Sequence, residues 1–256
     1  MSDLENAQSP ASGSPRPPRT WDFMETTFVS LLAAGVFLLA GQLAITIMLA
    51  ADGGMTALSP AQFEAVWMQG RWQGAGTIAA TPLTVAVLWI AIRMIHRDFA
   101  EYLALKWPSA DELWRGVTII MMVLMAESFV EYAVGVQDRP QDPTAAPLLV
   151  VGGATGLLVL LIGYCIAGPM LEELVFRGFM FRGWSQSFLG PIGAIVLTSA
   201  LWAANHTQYD WFGRLNIFVV GLVLGHLRWR SNSTWLTVVL HSAMNTVYFF
   251  LIGPYI

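Results

Sequence analysis

From Thr26 to Ala51 the chain carries no charged residue, and an uninterrupted run of that length constrains the fold more than any motif. About 20 mostly apolar residues suffice to cross the roughly 30 Å hydrocarbon core of a bilayer. Within hydrocarbon, backbone polar groups are satisfied only in a helix or a closed barrel. Comparable runs fall at about 73–93, 144–171, 190–206 and 233–252, with weaker ones at about 115–135 and 211–229. The expectation is an all-α, polytopic transmembrane helical bundle of about seven spans (seven or eight). The first run is too long for a signal-peptide core and reads as a retained anchor. Residues 1–22, rich in Ser, Pro and Gly, read as a disordered tail. Residues 23–256 read as one domain without an internal repeat.

Hydrophobic residues make up 55% of the chain and charged ones 12%, a balance outside the soluble range. The basic residues are scattered singly or in close pairs, with a formal net charge of −4, so nucleic acid is not an expected partner. Membrane lipids are. With the N-terminus inside, Arg16, Arg19, Arg93, Arg97, Lys106, Arg115, Arg182, Arg228 and Arg230 fall on the cytoplasmic side, leaving Arg71, Arg139 and Arg214 outside, as the excess of Lys and Arg in short cytoplasmic loops requires. Arg far outnumbers Lys, and Ala and Gly are abundant, which points to a GC-rich genome and a bacterial inner membrane. Cys165 has no disulfide partner and reads as a packing residue.

Ionisable residues at membrane depth cost about 2.5–3.5 kcal/mol each on insertion scales and need a partner or a wet cavity. Such residues are Glu127 and Glu131, Glu172, Glu173 and Arg177, and His206, His226 and His241. Glu173 and Arg177, four apart, share a helix face and can pair. Glu172 points about 100° away from Glu173 and should face a polar cavity. In "WAANH" Trp202 and His206 share a face, as do His241 and Asn245 in "HSAMN". Gly190-Pro191 breaks the helix, so the flanking helices should form a hairpin turning near Leu189. Glu172 and His206 each lie seventeen residues from that turn, which sets them at one height. His241 fits this height less well, about 12 Å beyond Ser233 against about 25 Å for His206. His226 and His96 read as interfacial residues beside arginines, while Glu127 and Glu131 read either as support for the site or as part of a polar path.

A carboxylate facing two imidazoles and an amide can activate water. Glu172 would be the base, with His206, His241 and Asn245 holding the water and the developing oxyanion directly or through a metal. Glu172, His206 and His241 are an adequate candidate shell for zinc, and a metal-free glutamate route stays open beside it. The soluble zinc-protease helix HExxH, GxSxG, GxGxxG and a P-loop are all absent.

"EELVFRG" (Glu172–Gly178), "WAANH" and "HSAMN" resemble the EExxxR, FxxxH and HxxxN motifs of the CPBP intramembrane proteases, the family of the type II CAAX prenyl endopeptidase and of bacterial proteins linked to bacteriocin processing and immunity. The resemblance covers a protease-like core of about 163–249. It implies an intramembrane metalloprotease-like endopeptidase acting near the cytoplasmic side on membrane-bound or lipidated peptides. It assigns the water-activating role to Glu172 and supporting roles to Glu173, Arg177, His206, His241 and Asn245. Trp202 departs from the family's usual Phe, and His226 from a plain apolar residue. The competing expectation is a non-catalytic immunity or scaffold protein, or a small proton-coupled transporter using Glu127, Glu131 and Glu172.

Overall fold

The structure, a computed structural model, describes residues 19–51, 59, 69–135 and 153–251. The expected tail lies outside these residues except for 19–22, as do the first residues of the run expected at 144–171. The described residues are helical, without a strand. In order they form α1 (Phe23–Ala51), α2 (Gly70–Met94), the single turn α3 (Phe99–Tyr102), α4 (Ala110–Ala133), α5 (Gly153–Ser185), α6 (Gly190–Asn205), α7 (Trp211–Ser231) and α8 (Thr234–Leu251). Helices α1, α2, α4 and α5 are long and apolar enough to cross a membrane, and α6 is shorter. The all-α bundle is therefore observed, while a count of seven crossings needs α6, α7 and α8 to span as well.

Side chains pointing out of the bundle are apolar along its length, among them Phe28, Leu39, Met125 and Phe129. A water-soluble fold would not leave such a belt uncovered. Helices with apolar outer faces gain little from burying Leu against Leu, so they associate where small residues let backbones approach. The α2–α5 crossing works this way. A Cβ on Gly163 would lie 2.5 Å from the Gly74 Cα, and one on Gly74 would lie 2.7 Å from the Val159 carbonyl oxygen.

One end of the bundle gathers the arginines. Arg97 donates to Glu101 and to the Arg19 carbonyl, Arg182 lies 3.5 Å from Glu101, and Arg228 donates to Thr234 and Asn232. Arg228, expected on a cytoplasmic turn, is instead buried. Asn232 in the left-handed region (φ 50°) folds the chain back over it into α8. Thr234 and Ser233 donate to the Leu103 and Lys106 carbonyls, fastening α8 to the segment after α3. Tyr102 is fully buried there, and that burial pushes its phenol up to about 12. At the start of α4, Ser109 and Glu112 form a capping box.

The α5–α6 hairpin turns where Gly190-Pro191 places it. Gly190 has φ +62°, a backbone that favours glycine, and Pro191 fits the first turn of a helix. From Gly190, Trp202 lies twelve residues along α6, about 18 Å, so the motif residues sit toward the far end of that helix, away from the arginine end.

Candidate active site

Helix α5 carries two π-helical stretches, Gly163–Ala167 and Leu174–Met180, on either side of Gly168–Glu173. Such bulges concentrate at functional sites. The first has a local cause. Gly168 N–H donates to the Gly163 carbonyl, so in that register the Tyr164 carbonyl awaits residue 169. That residue is Pro169, which has no N–H. Asn245 fills the gap, its amide nitrogen donating to the Tyr164 carbonyl at 2.9 Å. The amide expected to hold water thus ties α8 to α5.

The paired glutamates diverge as their helical spacing requires. Glu173 and Arg177 are both fully buried and form an ion pair at 2.9 Å. Arg177 also donates to the Gly221 carbonyl at 3.3 Å, and its guanidinium carbon stands 4.4 Å from the Trp202 ring centre. Desolvating two charges is costly unless the pair is well hydrogen-bonded. Here α7 supplies a carbonyl and α6 an aromatic face, which attracts a cation. His241 completes the group, Nδ1 lying 3.0 Å from Glu173 Oε1.

Glu172, expected to have no partner, has one from across the hairpin. Its Oε2 accepts a hydrogen bond from the Trp202 indole N–H at 2.5 Å. The carboxylate is only partly covered, whereas Trp202 is buried in an apolar cluster with Ile120, Leu224, Leu236 and Leu240. A rigid donor therefore aims a half-open carboxylate.

His206 does not stand directly opposite Glu172; Trp202, one turn earlier, takes that place. Helix α6 ends at Asn205, and His206, with ψ 63°, turns out of the helix. Its ring folds back so that Nδ1 meets the Trp202 carbonyl at 2.7 Å. A carbonyl only accepts, so Nδ1 carries the proton and Nε2 presents its lone pair. His241 is oriented in the same sense by Glu173, a carboxylate-to-imidazole contact that fixes the ring and its tautomer. Both imidazoles meet the Trp202 ring edge-on, with centroids 5.2 Å away. Trp202 is thus the hub about which Glu172, Arg177, His206 and His241 assemble.

Among the described residues, no three His, Cys, Asp or Glu side chains converge closely enough to hold a metal ion. The Glu172, His206 and His241 set considered for zinc does not fit that role in this arrangement. Sequence reasoning placed Trp202 on one face with His206 and noted it as a departure from the family's Phe, but not as a donor to Glu172, and passed over Tyr209, whose ring lies 6.2 Å from that of His206. Neither carries a charge at membrane depth, the signal that flagged the glutamates, Arg177 and the histidines. His226 is exposed beside Trp229 and takes no part. Glu131 reaches Asn216 of α7 and makes no direct contact with the motif residues.

Residues 154–247 match the family model described as type II CAAX prenyl endopeptidase Rce1-like. That stretch is similar to an Rce1-like domain. The matched stretch contains all of the residues gathered about Trp202, and with the apolar helices it makes the chain an integral membrane protein. An uncharacterized 24.3 kDa protein of Escherichia coli is 31% identical over 111 residues, covering 42% of this chain and 51% of the relative. The chain therefore matches about half the length of that curated relative. No solved structure matches it.

Proposed function

We propose that the protein is an intramembrane endopeptidase that hydrolyses peptide bonds of membrane-associated or lipidated, CAAX-type substrates, with Glu172 activating the water. The observation that carries this reading is the contrast between two adjacent carboxylates. Glu173 is sealed in an ion pair, whereas Glu172 is part-exposed and held by the indole N–H of Trp202, on whose ring two imidazoles pack. Glu172 takes a proton from water while the Nε2 lone pair of His206 accepts from the same molecule. The water oxygen then bonds to the scissile carbonyl carbon. His241, its Nδ1 held by Glu173 and its ring edge-on to Trp202, stays positioned beside the reacting groups. The C–N bond breaks as Glu172 passes its proton to the leaving nitrogen, giving a carboxylate and an amine. No step runs through a metal.

The depth of the site favours substrates already in the bilayer, and the arginine-rich end favours a cytoplasmic N-terminus in a bacterial inner membrane. The test is cleavage in liposomes of membrane-anchored peptides with and without a prenyl group, with products mapped by mass spectrometry. Wild type yields defined products that vanish in Glu172→Gln and His206→Ala. The same products from all three proteins, or none from folded wild type, would instead favour a non-catalytic scaffold.

A further inference from the structure

A hydrolase in a bilayer must obtain water where little exists, and polar backbone or side chains at that depth persist where they line a wet cavity. The described structure offers one such line near Glu172. Glu131 lies twenty-one residues past the start of α4, about 31 Å along it, and so reaches the membrane face remote from the arginines. It accepts from Asn216 of α7 at 2.7 Å. One turn deeper on the same face, Glu127 has a buried Oε1 with no hydrogen-bond partner among the described residues, a position a water would satisfy. Tyr248 of α8 lies near the Glu131 carboxylate and within hydrogen-bonding reach of Tyr209, and the Tyr209 ring stands 6.2 Å from that of His206.

Tyr209 is held in place by the loop that carries it. Arg214 donates to the Tyr209 carbonyl at 2.9 Å and to the Thr207 carbonyl at 3.1 Å, and Asp210 caps α7 through Gly213 N–H at 2.8 Å. Gly213 lies close under the tyrosine; a Cβ there would be 3.0 Å from the Tyr209 Cβ. Four elements thus bring polar groups together between Glu131 and His206. Its neighbours on α4, Phe129 and Val130, are exposed and apolar, as a lipid-facing surface requires.

We propose that Glu127, Glu131, Asn216, Tyr248 and Tyr209 line the route by which water reaches Glu172 from the face remote from the arginine cluster. The role of the water as nucleophile rests on the endopeptidase reading; the wet route does not.

Hydroxyl-radical footprinting of the intact protein in nanodiscs, read by mass spectrometry, tests it. Tyr209 and Tyr248 are expected to oxidise at least fivefold faster than Tyr102, which is buried at the arginine end. In the Glu131→Leu/Asn216→Leu double variant, labelling of Tyr209 falls about fivefold, and in Glu131→Gln, which keeps the polar lining, it stays within twofold of wild type. Cleavage by the double variant shows a kcat about tenfold lower with KM unchanged. Tyr209 as inert as Tyr102 in wild type overturns the proposal, and so does unchanged labelling in a folded double variant. The wild-type comparison decides even where the double variant does not fold. Strong labelling in a wild type that cleaves nothing supports the wet route and removes the hydrolysis reading.

Discussion

Glu172 and Glu173 are neighbours in the chain with opposite surroundings. Glu173 is enclosed by Arg177 and His241 and has no exposed surface, while Glu172 meets one indole N–H and stays partly open. The 100° turn between successive helical residues separates them, and the packing of α6, α7 and α8 determines what each meets. A sealed charge needs its partners simply for the fold to exist. A half-open charge with a neutral donor leaves room for water and substrate, which is why Glu172 is the one proposed as the base.

The largest expected effect is on activity. Glu172→Gln keeps shape and the acceptor for Trp202 but removes the base, so cleavage should fall about 100- to 10,000-fold, measured as initial rate at equal folded protein. Arg177→Leu attacks the other side of the comparison. It leaves the Glu173 charge sealed without its main partner and should cost about 3–5 kcal/mol, read as loss of folded protein on heating in detergent. Adding Glu173→Gln to Arg177→Leu should recover much of that loss, because the strained charge is then gone.

Trp202→Phe probes the link between the two. The ring contacts with Arg177 and both histidines can persist, but the N–H donor to Glu172 is lost, at about 1.5–3 kcal/mol for a hydrogen bond to a charged group. Cleavage should drop about tenfold with KM nearly unchanged, in steady-state kinetics. The smallest effect is expected from a chelator. Since Glu172, His206 and His241 do not converge as ligands, prolonged dialysis against EDTA should leave the cleavage rate within twofold.

Much of this arrangement was legible because it follows from helical geometry and from the cost of burying charge. The i, i+4 pairing of Glu173 with Arg177, the divergence of Glu172, the common face of Trp202 and His206, and the turn before Gly190-Pro191 all depend on spacing within one or two adjacent helices. The helices at Phe23–Ala51 and Gly70–Met94 followed from apolar length alone. What was hidden depends on contacts between distant segments or on departures from α geometry. Nothing near Glu172 in the chain announces Trp202 as its donor. The first π stretch of α5 is tied to Pro169, and only the fold brings Asn245 to the carbonyl that proline leaves open. His241 pairs with Glu173 because α8 is fastened at Ser233 and Thr234, which sets its height.

The division of labour between the two glutamates is tested most directly by thermal unfolding of Glu172→Gln and Glu173→Gln beside wild type in one detergent. Glu173→Gln should unfold about 6 °C or more below wild type, because it strands the Arg177 charge, and Glu172→Gln should unfold within about 3 °C of it. Equal midpoints for the two variants, or the larger loss in Glu172→Gln, would contradict the account.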